Sequence, residues 1–315
     1  MKRFRALLCG ALFLLSTALA PRASACSICR CGDPTFNALG AAIYAPGQFR
    51  LALDWERFDK ENGVSDPNTG EITGRDAEIE NRFTLSAVYS FGERFTLVGR
   101  LPVSIRNLTS TDESGAVTTN TSGFSDPDFT ALLRVWASDP VPDLGRRAWV
   151  SLVLGVKTPW GKNDLTENGE RLDEHAQSGT GATDVYGGLS AVVLLDPHSS
   201  VFASFQYRRT GTNAYGYKYG QTSTANLAYE RKLSTLIDAV LEANWRHAEQ
   251  DVVDPQGNRD PNTGGDIVYL TPRLVLALGG GVIGRVGVQI PVVKSLYGQQ
   301  TERANVNVGL TLLFE

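Results

Sequence analysis

The segment Arg303–Glu315, RANVNVGLTLLFE, decides how the rest of the chain is read. With period two, Val306, Val308, Leu310, Leu312 and Phe314 point one way, and Asn305, Asn307, Gly309 and Thr311 the other. Only Leu313 breaks the polar row. Alternate side chains of a strand face opposite sides of its sheet, so the segment has one apolar and one polar face. In a water-soluble sandwich the apolar face would pack on a core. In an outer-membrane barrel it meets lipid, and a crossing strand needs about 9–11 residues. An alternating last strand that ends in an aromatic residue favours the barrel.

The other end of the chain sets the compartment. Lys2, Arg3 and Arg5 precede an apolar run from Ala6 to Leu19, and Ala23-Ser24-Ala25 offers small residues for cleavage. This is the pattern of a secretory signal peptide, and Pro21 argues against a cut after Ala20, so residues 1–25 are expected to be removed. The remaining 290 residues carry 26 Lys plus Arg against 34 Asp plus Glu, a net charge near −8 that argues against a nucleic-acid partner. No later apolar run reaches the roughly 18 residues that a membrane helix requires. Any span must therefore be made of strands.

Residues 26–47 form a Cys-rich periplasmic leader, Cys26-Ser-Ile-Cys29-Arg-Cys31, and the fourth cysteine, Cys9, lies in the signal peptide. Three readings fit. Exported cysteines oxidise, which gives one disulfide and a spare thiol. Three thiolates within six residues also form a soft-metal clip for Cu(I), or for Zn with a fourth ligand from elsewhere. Finally, Ala-Ser-Ala-Cys resembles a lipidation signal at Cys26, with Ala where Leu is usual. Haem attachment is excluded because Arg30, not His, follows Cys29.

From residue 48 the chain reads as a meander. Strands are expected over 48–58, 78–90, 95–108, 128–136, 148–157, 184–195, 201–209, 219–231, 236–247, 265–278, 283–291 and the segment quoted first. Odd-numbered strands lead into long polar loops and even-numbered ones into short turns such as Asp196-Pro197 and Gly279-Gly280-Gly281. That asymmetry belongs to an up-and-down barrel with short periplasmic turns. The reading is an all-β, transmembrane, antiparallel barrel of about twelve strands over residues 48–315, in the outer membrane of a Gram-negative cell.

The rows opposite the apolar ones carry both signs of charge: Arg50, Glu56, Glu80 and Lys157, and the lumen-lining candidates Arg82, Arg100, Arg106, Arg134, Asp238, Glu242, Arg246, Arg273 and Arg285. Charges at that density cannot fill a dry core without a heavy desolvation cost, so they suit a wet lumen partly closed by ion pairs. Arginines on one wall facing Asp238 and Glu242 across the barrel would set a transverse field that screens solutes by charge.

Enzyme motifs are absent: there is no Walker loop, no His-Glu-x-x-His and no Gly-x-Ser-x-Gly. The three histidines fall in the fifth loop (His175), a short turn (His198) and the outer end of a strand (His247), where solvated side chains are expected. No catalytic residue is assigned.

Several stretches resemble the outer-membrane family named for the meta-pathway of phenol degradation. They are Gly123-Phe124-Ser125-Asp126, Leu154-Gly155-Val156-Lys157-Thr158-Pro159-Trp160-Gly161, Ser178-Gly179-Thr180-Gly181-Ala182-Thr183-Asp184, and the ending Gln289-Ile290-Pro291 through Gly298-Gln299-Gln300 to Phe314. Ser125 stands where that family usually has Gly, and Trp160 where Thr is common. The resemblance implies a barrel that moves small, often apolar or aromatic solutes, and it carries over no catalytic residues. The function expected is a monomeric channel or transporter set in outer-membrane lipid. The alternative is a structural or metal-handling barrel whose Cys26, Cys29 and Cys31 dock a periplasmic metal or redox protein.

Overall fold

The computed structural model describes residues 47–65, 72–112, 115–141 and 145–314. The expectations for the signal peptide and for Cys26, Cys29 and Cys31 lie outside these residues. Twelve long strands follow one another in chain order: β1 (Phe49–Ser65), β2 (Ile72–Phe91), β3 (Phe95–Asp112), β4 (Asp128–Ala137), β5 (Ala148–Lys157) and β6 (Asp184–Asp196), then β7 (Ser199–Arg209), β8 (Thr222–Lys232), β9 (Ile237–Ala248), β10 (Gly265–Gly279), β11 (Val282–Leu296) and β12 (Asn305–Phe314). Each pairs antiparallel with the next, and β12 returns to β1 in a register running from Phe49↔Phe314 to Arg57↔Val306. The sheet is closed.

Closure leaves none of the twelve strands as an edge, and the two-residue period then sorts their side chains into outward and inward rows. On β12, Val308, Leu310, Leu312 and Phe314 are exposed, while Asn305, Asn307 and Thr311 are buried. The short turns carry the chemistry they need. Gly279, Gly280 and Gly281 all have positive φ (+86°, +59° and +73°), a run that only glycine adopts without strain. Phe49, Phe314, Tyr89, Phe91 and Phe95 cluster at the periplasmic rim, with Phe49 and Phe314 ring centroids 5.6 Å apart.

The wall is taller on one side than the sequence implied. β1, β2 and β3 run for 17, 20 and 18 residues, against 10 for β4 and β5. Their surplus rises beyond the membrane on the outer side. The stretch read as a polar loop after β3 is itself a strand, Gly115–Phe124, laid along the outer part of β3. Side-chain hydrogen bonds such as Thr109 to Thr118 (3.0 Å) hold this hairpin without an apolar face, so hydrophobic periodicity could not reveal it.

The interior is not uniformly wet. Leu132, Trp149, Val153, Val192, Phe202, Ala228 and Val240 form a buried apolar cluster contributed by six adjacent strands, β4 to β9. Its central row, Trp149↔Val192↔Phe202↔Ala228, runs through directly paired positions. The next row outward is small and neutral: Ser151↔Ser190↔Ser204↔Asn226↔Asn244. The charged rows expected of the lumen are therefore interrupted at these two rows along β5 to β8. Over these strands the inward row changes character with height, which a charge tally misses.

Candidate functional site

The lumen and the loop over its outer mouth make up the candidate site. All nine lumen candidates lie on strands whose buried face is the interior, and most meet a carboxylate next door. Arg82 reaches Glu80 (2.9 Å), and Arg100 reaches Asp128 (2.7 Å). Arg106 lies between Glu78 (3.6 Å) and Glu80 (3.5 Å). Arg246 meets Glu302 (3.2 Å), Arg273 meets Glu242 (3.5 Å) and Arg285 meets Asp54 (2.8 Å). Arg134 lies over the Trp149 ring, 5.1 Å from its centroid, with Glu93 at 3.9 Å. Asp238 sits at the periplasmic end of β9, opposite Lys232 and Val275.

This pairing corrects the transverse field. Glu242 does not face the arginines of β2 to β4 across open space but is held by Arg273 on the adjacent strand. Opposite charges at such distances in a low-dielectric interior neutralise each other locally, because desolvation makes an unpaired charge costly. The pairs brace the wall.

The second feature is the loop between β5 and β6. Its two ends are stapled by one carboxylate. Asp126 accepts from Lys157 Nζ (3.0 Å), Gly161 N (2.9 Å), Thr180 N (2.8 Å) and Thr180 Oγ1 (2.6 Å). Lys157 also meets Asp184 (3.2 Å), which in turn meets Arg208 (3.4 Å). Gly161 and Gly179 pass so close that a Cβ on Gly179 would sit 2.6 Å from Gly161 backbone, so neither position has room for a side chain.

Between these staples the chain folds across the mouth. It makes a small hairpin, Thr166–Glu167 with Glu170–Arg171, and a single 3-10 turn at Glu174–Ala176. Ala176, Gln177, Ser178 and Thr180 are buried. On one side Arg106 donates to the carbonyls of His175 (2.8 Å) and Gln177, and Thr121 Oγ1 donates to Ala176 O (2.8 Å). On the other, Tyr219 Oη donates to Glu174 O (3.0 Å) and Asn213 Nδ2 to Thr180 O (3.2 Å). The segment is a lid that spans the opening.

His175 is therefore not a solvated loop histidine. Its Nε2 lies 3.2 Å from Tyr217 Oη and 3.9 Å from Asp251 Oδ2, and its ring meets Tyr217 and Tyr219 edge-on. His247 does lie at the outer rim, half-buried beside Asp266 (3.2 Å) and stacked on Trp245. His198 is exposed in its turn.

A family profile described as "Putative MetA-pathway of phenol degradation" matches residues 84–286, well over half of the chain. The chain belongs to this family. Its fold is the closed, twelve-stranded antiparallel barrel of outer-membrane proteins. Among solved structures, the COG4313 outer membrane channel from Pseudomonas putida F1 superposes with a TM-score of 0.63 at 11% identity, covering 86% of this chain and 97% of that one. The translocator domain of the autotransporter NalP from Neisseria meningitidis aligns with a TM-score of 0.49 at 12% identity, over 87% of this chain and 91% of that one. The KdgM porin in complex with disordered oligogalacturonate aligns with a TM-score of 0.42 at 9% identity, over 84% of this chain and 99% of that one. No curated protein matches.

The three internal motifs that carried the family resemblance meet at one place. Asp126, Lys157 with Gly161, and Gly179 with Thr180 and Asp184 come from separate motifs and join in the Asp126 staple. Asp126, Asp184 and Thr180 do not stand out by charge along the strand rows, because they sit where strands meet loops. The pattern Tyr215-x-Tyr217-x-Tyr219, which alternates like a strand inside a loop, was the available signal for the far side of the lid.

Proposed function

We propose that this protein passes small solutes with an apolar, often aromatic, body through the outer membrane. The observation that carries the reading is the apolar arc of Leu132, Trp149, Val153, Val192, Phe202, Ala228 and Val240 inside the barrel. A pore for sugars or ions gains nothing from an apolar strip, since apolar surface is worth about 25 cal/mol per Å² only against another apolar surface. An apolar solute gains from it. The Ser151–Asn244 row just outward supplies neutral hydrogen-bonding groups, so a solute with one polar edge can be held without breaking an ion pair. Charged solutes are disfavoured because the lumen charges already have partners.

The test is uptake into proteoliposomes loaded with a reporter for a small aromatic alcohol, against a sugar of similar volume. The aromatic compound should enter faster than in protein-free vesicles, and Phe202→Arg should remove that advantage while the folded gel mobility persists. Equal rates for sugar and aromatic, or no protein-dependent entry of either, would overturn the reading.

A further inference from the structure

We infer that the lid is latched on its far side by the His175–Tyr217–Asp251 cluster, which holds it shut at acid pH and releases it as pH rises. The inference concerns the regulation of the channel proposed above and rests on that reading for its consequence, though not for its test.

The lid has two unlike attachments. The near one, at Asp126, is made by a carboxylate, a lysine, a threonine hydroxyl and backbone amides, and contains no histidine. The far one has one. Histidine is the side chain whose ordinary value lies between about pH 5 and 8. His175 Nε2 and Asp251 Oδ2 both lie on Tyr217 Oη, at 3.2 Å and 2.6 Å. Gly220 N also donates to Asp251 (2.7 Å). A two-way backbone bridge between Lys218 and Val252 (2.9 and 2.8 Å) fixes both loops, so the tyrosines and Asp251 form a rigid receptor for the imidazole.

The charges around His175 are mostly negative. Asp173 and Glu174 flank it on the lid, and Arg171 is engaged with Glu174 (2.8 Å). Glu78 and Asp76 face it from β2, Asp251 and Asp260 from the loop after β9, and Arg106 on β3 is shared between Glu78, Glu80 and the lid carbonyls. Burial by itself would lower the imidazole. The carboxylates of Asp173, Asp251, Glu78 and Asp260 outweigh it and raise His175 above its ordinary value. Burial raises Asp251 too, against the opposing pull of His175 and Tyr217.

The sign follows. A histidine raised in the closed state stabilises closure fully below its open-state value, and this contribution is lost as pH climbs through the closed-state value. Asp251, also raised, acts in the same direction at lower pH. Alkalinity therefore opens the lid. The closed-to-open ratio falls by up to about tenfold for each unit by which closure raises the imidazole.

Hydrogen exchange read by mass spectrometry on residues 172–182 of the liposome-embedded protein tests this without relying on transport. After correction for intrinsic rates, exchange should be slow near about pH 6 and severalfold faster near about pH 8.5. His175→Gln keeps a hydrogen-bonding side chain but cannot titrate, so it should exchange fast at both. Asp251→Asn should keep a transition but move its midpoint to lower pH. A lid whose exchange is the same at both pH values, or a His175→Gln variant that keeps the wild-type pH response, overturns the latch. Solute uptake is measured in parallel. If the lid responds and uptake does not exist, the latch stands and the channel reading fails.

Discussion

The two sides of the lumen are built on opposite principles. From β10 through β12 and on to β3, the inner face is a lattice of paired charges: Arg273 with Glu242, Arg285 with Asp54, Arg82 and Arg106 with Glu80. From β5 to β8, the row Trp149, Val192, Phe202 and Ala228 is apolar, and the next row outward is the neutral Ser151, Ser190, Ser204 and Asn226. Ion pairs fix geometry and hold position strongly, because removing one partner strands the other in a low-dielectric interior. Apolar contacts are non-directional and can be exchanged for contacts with a solute at little cost. One side is therefore suited to holding the barrel in shape, and the other to being rearranged.

The comparison breaks most visibly on the braced side. Asp54→Ala leaves Arg285 buried against Thr311 without its carboxylate, and should cost about 3–5 kcal/mol in denaturant unfolding followed by tryptophan fluorescence. A change near zero would mean that water, not Asp54, solvates that arginine. Next in size is the lipid face. Leu310→Arg, exposed near the middle of β12, should destabilise by ~2–4 kcal/mol in lipid vesicles, and a wild-type midpoint would place that face away from the bilayer core.

Smaller effects sharpen the contrast. Phe202→Leu thins the apolar arc without adding charge, so stability should fall by only about 1–2 kcal/mol while the rate of aromatic uptake changes. If stability fell as far as for Asp54→Ala, the arc would be a structural core rather than a yielding surface. Least of all, Arg303→Ala removes exposed contacts to Asp59 (3.2 Å) and Glu61 (2.8 Å) at the outer rim. It should move the unfolding midpoint by less than about 1 kcal/mol, and by less still at high salt.

Much of the fold could be read directly. The alternation of β12, and of Phe83, Leu85, Ala87 and Tyr89 on β2, is imposed by lipid on one side and lumen on the other, and that boundary repeats at every second residue. The strand count, the turn positions and the inward placement of the arginines all follow from it. The site was less legible. The lid has no periodicity of its own, because its partners are Arg106, Thr121, Asn213, Tyr219 and Asp251, drawn from segments more than a hundred residues apart. His175 looked like a loop residue because burial by a neighbour loop leaves no mark in the local sequence.

Sequence by itself determined that this is a barrel, which faces of its strands meet lipid, and which charges turn inward, since each depends only on a two-residue period and a two-sided environment. Tertiary structure alone decided that those charges pair with neighbours instead of facing one another, that an apolar arc runs along six adjacent strands, and that a loop spans the mouth. Each of these depends on register between strands and on contacts between distant loops, and side-chain pairing across a sheet is fixed only once the sheet has closed.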